Sequence, residues 1–136
     1  MARYVQEQLS PAAFRHQLER SDAFTLMAEV DGHLVGYALT ELGKTCIASS
    51  PVSTQLEKLY VQEHFVGTGI GDSLLARVRA EAARRAGSRA LWLTVNAHNQ
   101  RARAFYAKQG FMDIGVTNFD LYGELHENRI LHALDP

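Results

Sequence analysis

The apolar positions near the start of the chain predict a short helix. Within residues 10–20, Ser10 can act as an N-cap and Pro11 occupies the first helical position. Phe14 and Leu18 are four residues apart, which places both on one face of a helix.

Two strand-like segments follow and predict a hairpin. Residues 23–30 and 34–42 are rich in apolar residues, and Asp31-Gly32 between them is a strong two-residue turn signal. Gly36 in the returning strand indicates a bulge or a close approach of another backbone. Residues 43–53, rich in Gly, Ser and Thr, are predicted to form a loop.

The rest of the chain alternates between strand and helix patterns. Strands are predicted at residues 55–61, 90–95, 111–117 and 128–134, and helices at residues 72–86 and 99–109. The first helix has one apolar face and ends at Gly87, whereas the second is capped by Asn99. Residues 119–122 and a polar turn are expected to join the last two strands. This order predicts an α/β fold in which helices pack on a mixed sheet.

Composition and charge are those of one ordinary globular domain spanning residues 1–136. The formal net charge is −1, which disfavours a basic nucleic-acid-binding surface. No apolar run approaches the ~20 residues of a membrane span, and the first residues lack the apolar core of a signal peptide. Cys46 is the single cysteine and cannot form an internal disulfide, so we expect a cytoplasmic protein. The six histidines lack the paired spacing of a metal site, and no metal is expected.

The most informative motif lies between a predicted strand and a predicted helix. Glycine alternates there at Gly67, Gly69 and Gly71. A glycine loop that enters a helix N-terminus can turn its backbone N–H groups toward an anion. Asp72-Ser73 rules out a Walker A loop, and Asp72 also stands where a dinucleotide fingerprint needs its third glycine. A flexible surface turn is the alternative, but three glycines cost more backbone entropy than such a turn requires.

This motif resembles the acyl-CoA-binding loop of the GNAT superfamily of N-acetyltransferases. The family pattern Gln/Arg-x-x-Gly-x-Gly/Ala falls on Val66, Gly69 and Gly71. Val66 therefore departs from the pattern, because an apolar side chain stands where the family usually has Gln or Arg.

A second stretch strengthens the resemblance. Residues 91–96 and 99–111 are similar to the family's next strand, helix and closing turn, in the correct order and separation. The resemblance covers residues 23–134 and implies a mixed, mostly antiparallel central sheet flanked by helices. The later part of the chain is also similar to PaiA-type polyamine acetyltransferases, through Phe119, Leu121, Ile130, Leu131 and Trp92.

One departure concerns the start of the domain. Too few residues precede residue 23 for the strand and longer helix with which GNAT domains usually begin. We therefore expect the first strand to be missing and one edge of the sheet to be exposed. A second copy of the chain could cover that edge, so a homodimer is a hypothesis.

The resemblance implies a site for acetyl-CoA between the strands at residues 55–61 and 90–95, which are expected to diverge. Backbone groups of residues 59–61 would pair with the pantetheine arm, and the Val61 N–H would polarise the thioester carbonyl. The cofactor-binding candidates are Leu59, Tyr60, Val61, Val66, Gly67, Thr68, Gly69, Ile70, Gly71, Asp72, Asn96, Asn99, Tyr106 and Lys108.

Two residues are candidates for proton transfer. Tyr106 resembles the family's general acid, since a phenol with a pKa of ~10 is protonated at neutral pH. The alternative for Tyr106 is aromatic packing beside Phe105. Glu57 is the candidate base: strand alternation is expected to place it on the same face as Leu59 and Val61. Its alternative is a solvated strand carboxylate paired with a nearby cation.

These features predict an N-acetyltransferase that moves an acetyl group from acetyl-CoA directly to a primary amine of a small molecule. Acidic residues favour a cationic, polyamine-like acceptor, and they are Glu29, Glu41, Glu57 and Glu63. One alternative is acetylation of a protein N-terminus or lysine. The other is an acyl-CoA-binding domain without catalysis, which the departure at Val66 and the short N-terminus favour.

Overall fold

A single sheet organises the described part of the chain. The computed structural model describes residues 13–20 and 22–135, with side chains described from residue 22. Seven strands are described: β1 (Ala13–Arg20), β2 (Ala23–Val30), β3 (His33–Glu41), β4 (Gln55–Val61), β5 (Leu91–Asn96), β6 (Met112–Leu121) and β7 (Glu124–Ala133). Their order is β1-β2-β3-β4-β5-β7-β6, and only the β4–β5 pair is parallel. Two α-helices are described, α1 (Ile70–Ala86) and α2 (Gln100–Lys108). The predicted mixed α/β sheet, mostly antiparallel, is confirmed.

The prediction for the N-terminal segment is wrong. Residues 13–20 form strand β1, not a helix, and β1 pairs antiparallel with β2. The edge of β2 offers unpaired N–H and C=O groups along its length, whereas a helix of about ten residues is marginal by itself. Tertiary pairing therefore overrides the helical spacing of Phe14 and Leu18. The proposed cap, Ser10-Pro11, lies outside the described residues.

This strand also changes the argument about assembly. A strand does precede the β2–β3 hairpin, so the expectation of a sheet without it is wrong. Because β1 covers the edge of β2, an uncovered edge at β2 no longer supports a homodimer. The homodimer stays a prediction that sedimentation of the full chain can check.

The β2–β3 hairpin confirms two predictions. Asp31 and Gly32 both have positive φ, 53° and 77°, as a two-residue hairpin turn of this kind requires. Gly36 permits a close approach: a Cβ there would lie 2.8 Å from the Tyr60 carbonyl oxygen and 3.1 Å from a Leu74 methyl group. Glycine at this position therefore lets β3, β4 and α1 pack together.

Helix α1 provides much of the core against β2, β3 and β4. Its buried face comprises Ile70, Leu74, Leu75, Val78 and Ala82. The helix begins two residues before the predicted start and ends at Gly87, whose φ is 76° and whose N–H donates to the Ala83 carbonyl. Within the described residues, neither helix has the length and apolar character needed to cross a membrane.

The opposite end of the sheet is a longer hairpin than predicted. Phe119 and Leu121 belong to β6, and the turn is formed by Tyr122-Gly123, both with positive φ. The Asp120 carboxylate accepts a hydrogen bond from the Gly123 N–H, which fixes this turn. The prediction that residues 119–122 connect two shorter strands is therefore wrong.

A smaller apolar cluster lies beneath the predicted loop at residues 43–53. Cys46, Val52, Trp92 and Ile130 are buried together there. The indole N–H of Trp92 donates to the Lys44 carbonyl at 2.8 Å, so the loop is attached to strand β5.

Candidate functional site

The central feature of the candidate site is a gap between β4 and β5. In the described chain these strands are paired at one position only, Gln55 with Trp92, next to a 2.9 Å hydrogen bond from the Trp92 N–H to the Thr54 carbonyl. Toward Val61 and Asn96 the ladder does not continue. The predicted divergence of the two strands is present.

Strand β4 presents alternate backbone groups to this gap. The Gln62 N–H donates to Val35 in β3, and Tyr60 is the register partner of Tyr37. In an antiparallel pair, hydrogen-bonded and non-bonded positions alternate, so the N–H and C=O groups of Leu59 and Val61 point away from β3. They therefore face the gap. The backbone of Tyr60 points to β3 instead, while its half-exposed ring lies 5.5 Å from the ring of Tyr37.

The glycine loop leads from β4 into helix α1. Gly67 and Gly69 have φ of 81° and 94°, which glycine adopts without the strain of a Cβ. The Ser73 N–H makes the first intrahelical bond, to the Gly69 carbonyl. The preceding N–H groups, at residues 70–72, lie at the helix N-terminus, where intrahelical acceptors end and the dipole favours an anion.

Two other loop residues have more limited roles in this geometry. The N–H and the hydroxyl of Thr68 both donate to the Phe65 carbonyl, so this side chain stabilises the loop. Val66 is exposed and uncharged at the position where a family member usually has Gln or Arg.

Helix α2 is held against the start of α1. A Cβ at Gly71 would lie 3.4 Å from the Phe105 ring, so the two helices approach closely there. The Gln109 amide donates to the Asp72 carboxylate at 2.9 Å. Lys108 is exposed in the last turn of α2, next to Gln109, and its charge therefore lies on the helix end that adjoins the glycine loop.

The two asparagines at the wide end of β5 have local partners. Asn99 caps α2, since its side-chain oxygen accepts from the Ala102 N–H at 3.1 Å. The side-chain oxygen of Asn96 accepts from the His98 N–H at 2.8 Å. Each amide keeps its NH₂ group as a donor for a ligand.

Tyr106 is the buried aromatic residue of α2. Its ring packs against Phe105 and Phe111, with centroid distances of 5.3 and 5.4 Å. Burial raises the pKa of Tyr106 to about 12, and its side chain is 8% exposed. Within the described residues its hydroxyl makes no hydrogen bond. The phenol therefore keeps its proton at neutral pH and has it available for a ligand.

The structure corrects the predicted orientation of Glu57. In the β3–β4 register, Leu39 pairs with Lys58 and Thr40 with Leu56, so Glu57 is the extra residue of a β-bulge. Leu56 and Leu59 consequently both reach the core, and Glu57 turns toward Glu41 on the sheet face away from α1. The prediction that Glu57 shares a face with Leu59 and Val61 is wrong. Leu56 and Leu59 are three positions apart, and regular strand alternation would place them on opposite faces of the sheet. Two apolar residues at this spacing were therefore the sequence signal for the bulge.

The environment of Glu57 shifts the pKa of its carboxyl upward from the ordinary value. Desolvation raises the pKa of this carboxyl, and a hydrogen bond with Glu41 and the repulsion of the Glu41 charge raise the pKa further. Lys58 and Lys44 oppose this shift. Alternation counted from Leu59 did not place Glu57 near Glu41, whereas alternation counted from Gln55, the register partner of Glu41, puts Glu57 on the face of Glu41.

The geometry as a whole fits one shape of ligand. A free strand edge can pair with an extended chain that carries amide groups, and the helix N-terminus can hold a pyrophosphate at the end of that chain. CoA contains both parts, since its pantetheine arm carries two amide groups and ends at a pyrophosphate. The fold and site therefore define an acyl-CoA-dependent transferase.

Comparison with known sequences identifies the family. The sequence profile of the acetyltransferase (GNAT) family matches residues 2–111. An uncharacterized N-acetyltransferase of Mycobacterium tuberculosis is 39% identical over 128 residues, which cover 94% of this chain and 77% of the relative. The chain belongs to the GNAT family, and the predicted acetyl-CoA-dependent N-acetyltransferase is confirmed at the level of the family.

Solved structures show the same fold. PaiA N-acetyltransferase from Thermoplasma acidophilum, in complex with coenzyme A, aligns with a TM-score of 0.63 and 21% identity. The alignment covers 83% of this chain and 61% of the Thermoplasma chain. A ribosomal-protein-alanine N-acetyltransferase from Brucella melitensis aligns with a TM-score of 0.65 and 26% identity, covering 82% of this chain and 68% of that chain.

Proposed function

We propose that this protein transfers the acetyl group of acetyl-CoA directly to a primary amine of a small cationic molecule of the polyamine type. The observation that carries the proposal is the open edge of β4, where Leu59 and Val61 face a gap that ends at the glycine loop. Acetyl-CoA supplies the activated acyl group as a thioester.

The residues present fit acetyl-CoA. The N–H groups of the glycine loop and the first turn of α1, residues 67–72, would hold its pyrophosphate. The backbone of Leu59 and Val61 would pair with the amides of its pantetheine arm, and Asn96 and Asn99 would donate from their NH₂ groups. Lys108 would add a positive charge at the phosphate end. Loss of the polar side chain at Val66 is expected to weaken this binding without abolishing it.

Three groups of the chain would act on the reacting atoms. The Val61 N–H points into the gap and would stabilise negative charge that develops on the thioester oxygen. Glu57 would accept the proton that the amine loses. Tyr106, whose pKa of about 12 keeps it protonated, would donate its proton to the departing thiolate.

The surroundings of Glu57 support a cationic acceptor. Glu41 and Glu57 lie together, and the aromatic pair Tyr37 and Tyr60 lies on the same sheet face. Carboxylates and aromatic rings both attract an ammonium group. The alternative acceptor, an amine of a protein such as its N-terminal α-amino group, is supported by the similarity to the ribosomal-protein-alanine enzyme.

A panel of amines tests the proposal. The full chain is titrated with CoA by calorimetry, and thiol release from acetyl-CoA is then measured with spermidine-like amines, with alanine-starting peptides and with lysine peptides. Turnover with the polyamines supports the proposal, whereas turnover restricted to peptides contradicts it. Binding of CoA without any turnover would establish the non-catalytic alternative. Tyr106→Phe is expected to lower turnover at least tenfold.

A further inference from the structure

We propose that the ring pair of Tyr37 and Tyr60 binds a second ammonium group of the acceptor, the one that is not acetylated, and so selects short diamines over monoamines. This inference rests on the proposed function, in which the acceptor is a small cationic amine. The two tyrosines determine specificity and take no part in proton transfer.

The two faces of the sheet differ at the open end of the gap. On one face, α1 and α2 pack against the core, and Leu59 and Val61 contribute side chains to it. A Cβ at Gly71 would lie 3.4 Å from the Phe105 ring and 3.7 Å from a Val61 methyl group, so packed side chains close this face. The acceptor therefore approaches the Val61 N–H from the opposite face of the sheet, which neither described helix covers.

Tyr37 and Tyr60 lie on this open face, beside the reacting position. A Cβ at Gly36 would lie 3.1 Å from a methyl group of α1, and Ala38 is fully buried, so the intervening Tyr37 points away from the helix. Tyr60 is the register partner of Tyr37 and directly precedes Val61. Opposite residues of an antiparallel pair share a face, and the two ring centroids accordingly lie 5.5 Å apart.

The two rings are available to a cation. Tyr60 is 50% exposed, and the two ring planes are inclined by 33° rather than stacked in parallel. Among the described residues the cation over a ring is Arg85, which contacts Phe24, so no described cation occupies either tyrosine. The face of an aromatic ring attracts an ammonium group that lies within about 6 Å of the ring centroid.

The charged groups near the pair on this face come as opposite charges. Lys58, two residues before Tyr60, directly follows Glu57 in β4. Lys44 Nζ lies 3.8 Å from a carboxylate oxygen of Glu41. Neighbouring opposite charges largely cancel at a distance, so the rings provide the selection for a second ammonium group.

The position of the rings sets the preferred length of the acceptor. Residues rise about 3.3 Å along a strand and neighbouring strands lie about 4.8 Å apart, so the ring pair stands roughly 4–8 Å from the Val61 N–H. Three or four methylene groups, with single bonds of about 1.5 Å, separate two nitrogens by about 5–6 Å. A diamine of that length places one amine at the thioester and the other at the rings. A monoamine leaves the rings empty.

The test compares a diamine with a monoamine in variants that keep or remove a ring. The ratio of kcat/KM for trimethylenediamine to kcat/KM for propylamine is measured in each variant. In Tyr60→Leu and in Tyr37→Leu this ratio should fall about fivefold or more, mainly through KM for the diamine. Tyr60→Phe retains a ring and should keep the ratio of the wild type. Tyr122→Leu removes an exposed tyrosine from the β6–β7 turn and serves as the control, with an unchanged ratio.

Thermal melts verify that each variant is folded. Equal losses for both amines, with the ratio unchanged, would give the rings a purely structural role and overturn the inference. A fall of the ratio in Tyr60→Phe as large as in Tyr60→Leu would also overturn it, since the hydroxyl would then make the contact. A wild type without preference for the diamine contradicts the inference whatever the variants do.

If the wild type acetylates no small amine, the proposed function fails separately, and NMR titration with tetramethylammonium chloride still decides. The ring resonances of Tyr60, assigned by their loss in Tyr60→Leu, should shift saturably in the wild type. Unchanged resonances contradict the inference.

Discussion

The two edges of strand β4 differ in how they use the same backbone. Toward β3, the strand is paired along its length, and Gly36 lets the two backbones approach closely. Toward β5, pairing is confined in the described chain to Gln55, and the rest of the edge is open. The sheet is held across the opening by side chains instead, through the contacts between the start of α1 and the end of α2. A protein can therefore leave peptide groups available for a ligand where helix packing replaces the ladder.

The largest effect on stability is expected from a substitution on the edge of β4 that pairs with β3. In Gly36→Ala, the new Cβ would lie 2.8 Å from the Tyr60 carbonyl oxygen, which is backbone and cannot move without displacing β4. We expect the free energy of unfolding to fall by about 2–3 kcal/mol in urea titrations. The control is Gly115→Ala in β6, where the nearest atoms lie at 3.6 and 3.8 Å and stability should change little. Equal stability of the two variants would contradict the close approach.

A substitution in the glycine loop, at the end of the open edge of β4, should separate an effect on CoA binding from an effect on stability. Gly69→Ala and Gly32→Ala both place a Cβ at positive φ, 94° and 77°, so each should cost about 1–2 kcal/mol of stability. Only Gly69 lies in the loop at the helix N-terminus. Calorimetry should therefore show CoA affinity reduced about tenfold or more in Gly69→Ala, a loss of about 1.4 kcal/mol, with little change in Gly32→Ala. Equal loss of affinity in both variants would assign the effect to stability alone.

The packing of helix α2, which replaces the β4–β5 ladder, can be tested through the way the buried Tyr106 makes the free energy of unfolding depend on pH. The pKa of Tyr106 is about 12 in the folded state and about 10 in the unfolded state, so folding favours the proton. Its contribution is complete below pH ~10 and is lost as the pH rises toward 12. At pH 11 the wild type should have lost about 1.4 kcal/mol relative to Tyr106→Phe, as measured by urea unfolding at pH 8 and pH 11.

Tyr122→Phe serves as the control for this experiment, since Tyr122 is fully exposed in the β6–β7 turn. Its unfolding free energy should follow the wild type at both pH values. The burial of the Tyr106 phenol is refuted if the wild type and Tyr106→Phe show the same pH dependence.

The smallest effect on stability is expected far from the gap between β4 and β5, at the edge strand β6. Asp113 accepts two hydrogen bonds from Arg129, at 2.8 and 2.9 Å, and these lower the pKa of Asp113. Asp113→Asn should cost about 0.5–1 kcal/mol at pH 7, as expected of a partly exposed ion pair. The cost should diminish as the pH falls below the ordinary pKa of an aspartate and through the lowered pKa of Asp113, because the wild-type carboxyl is then protonated. CoA affinity should not change, and a change would link this edge to the site.

Patterns that depend on neighbouring residues predicted the fold well. The apolar face of α1, the cap at Asn99 and the turn at Asp31-Gly32 each follow from local spacing or local hydrogen bonding. The divergence of β4 and β5 came from the resemblance to a family, since no local property of either strand requires it.

Features that depend on distant partners were not predicted. Strand β1 forms because β2 provides an edge, and the sequence of residues 13–20 alone favours a helix. The bulge at Glu57 arises from the register against β3, so strand alternation gave the wrong face. The extension of β6 through Phe119 depends on pairing with His126 in β7.

The position of the single tryptophan has a practical consequence. Trp92 is 2% exposed, lies where β4 and β5 still pair, and holds the loop at residues 43–53 through its indole N–H. Its fluorescence emission therefore originates from the apex of the gap, without background from another indole. A shift of that emission to longer wavelength would report water reaching the apex, so opening of the strands can be followed optically in the unlabelled protein.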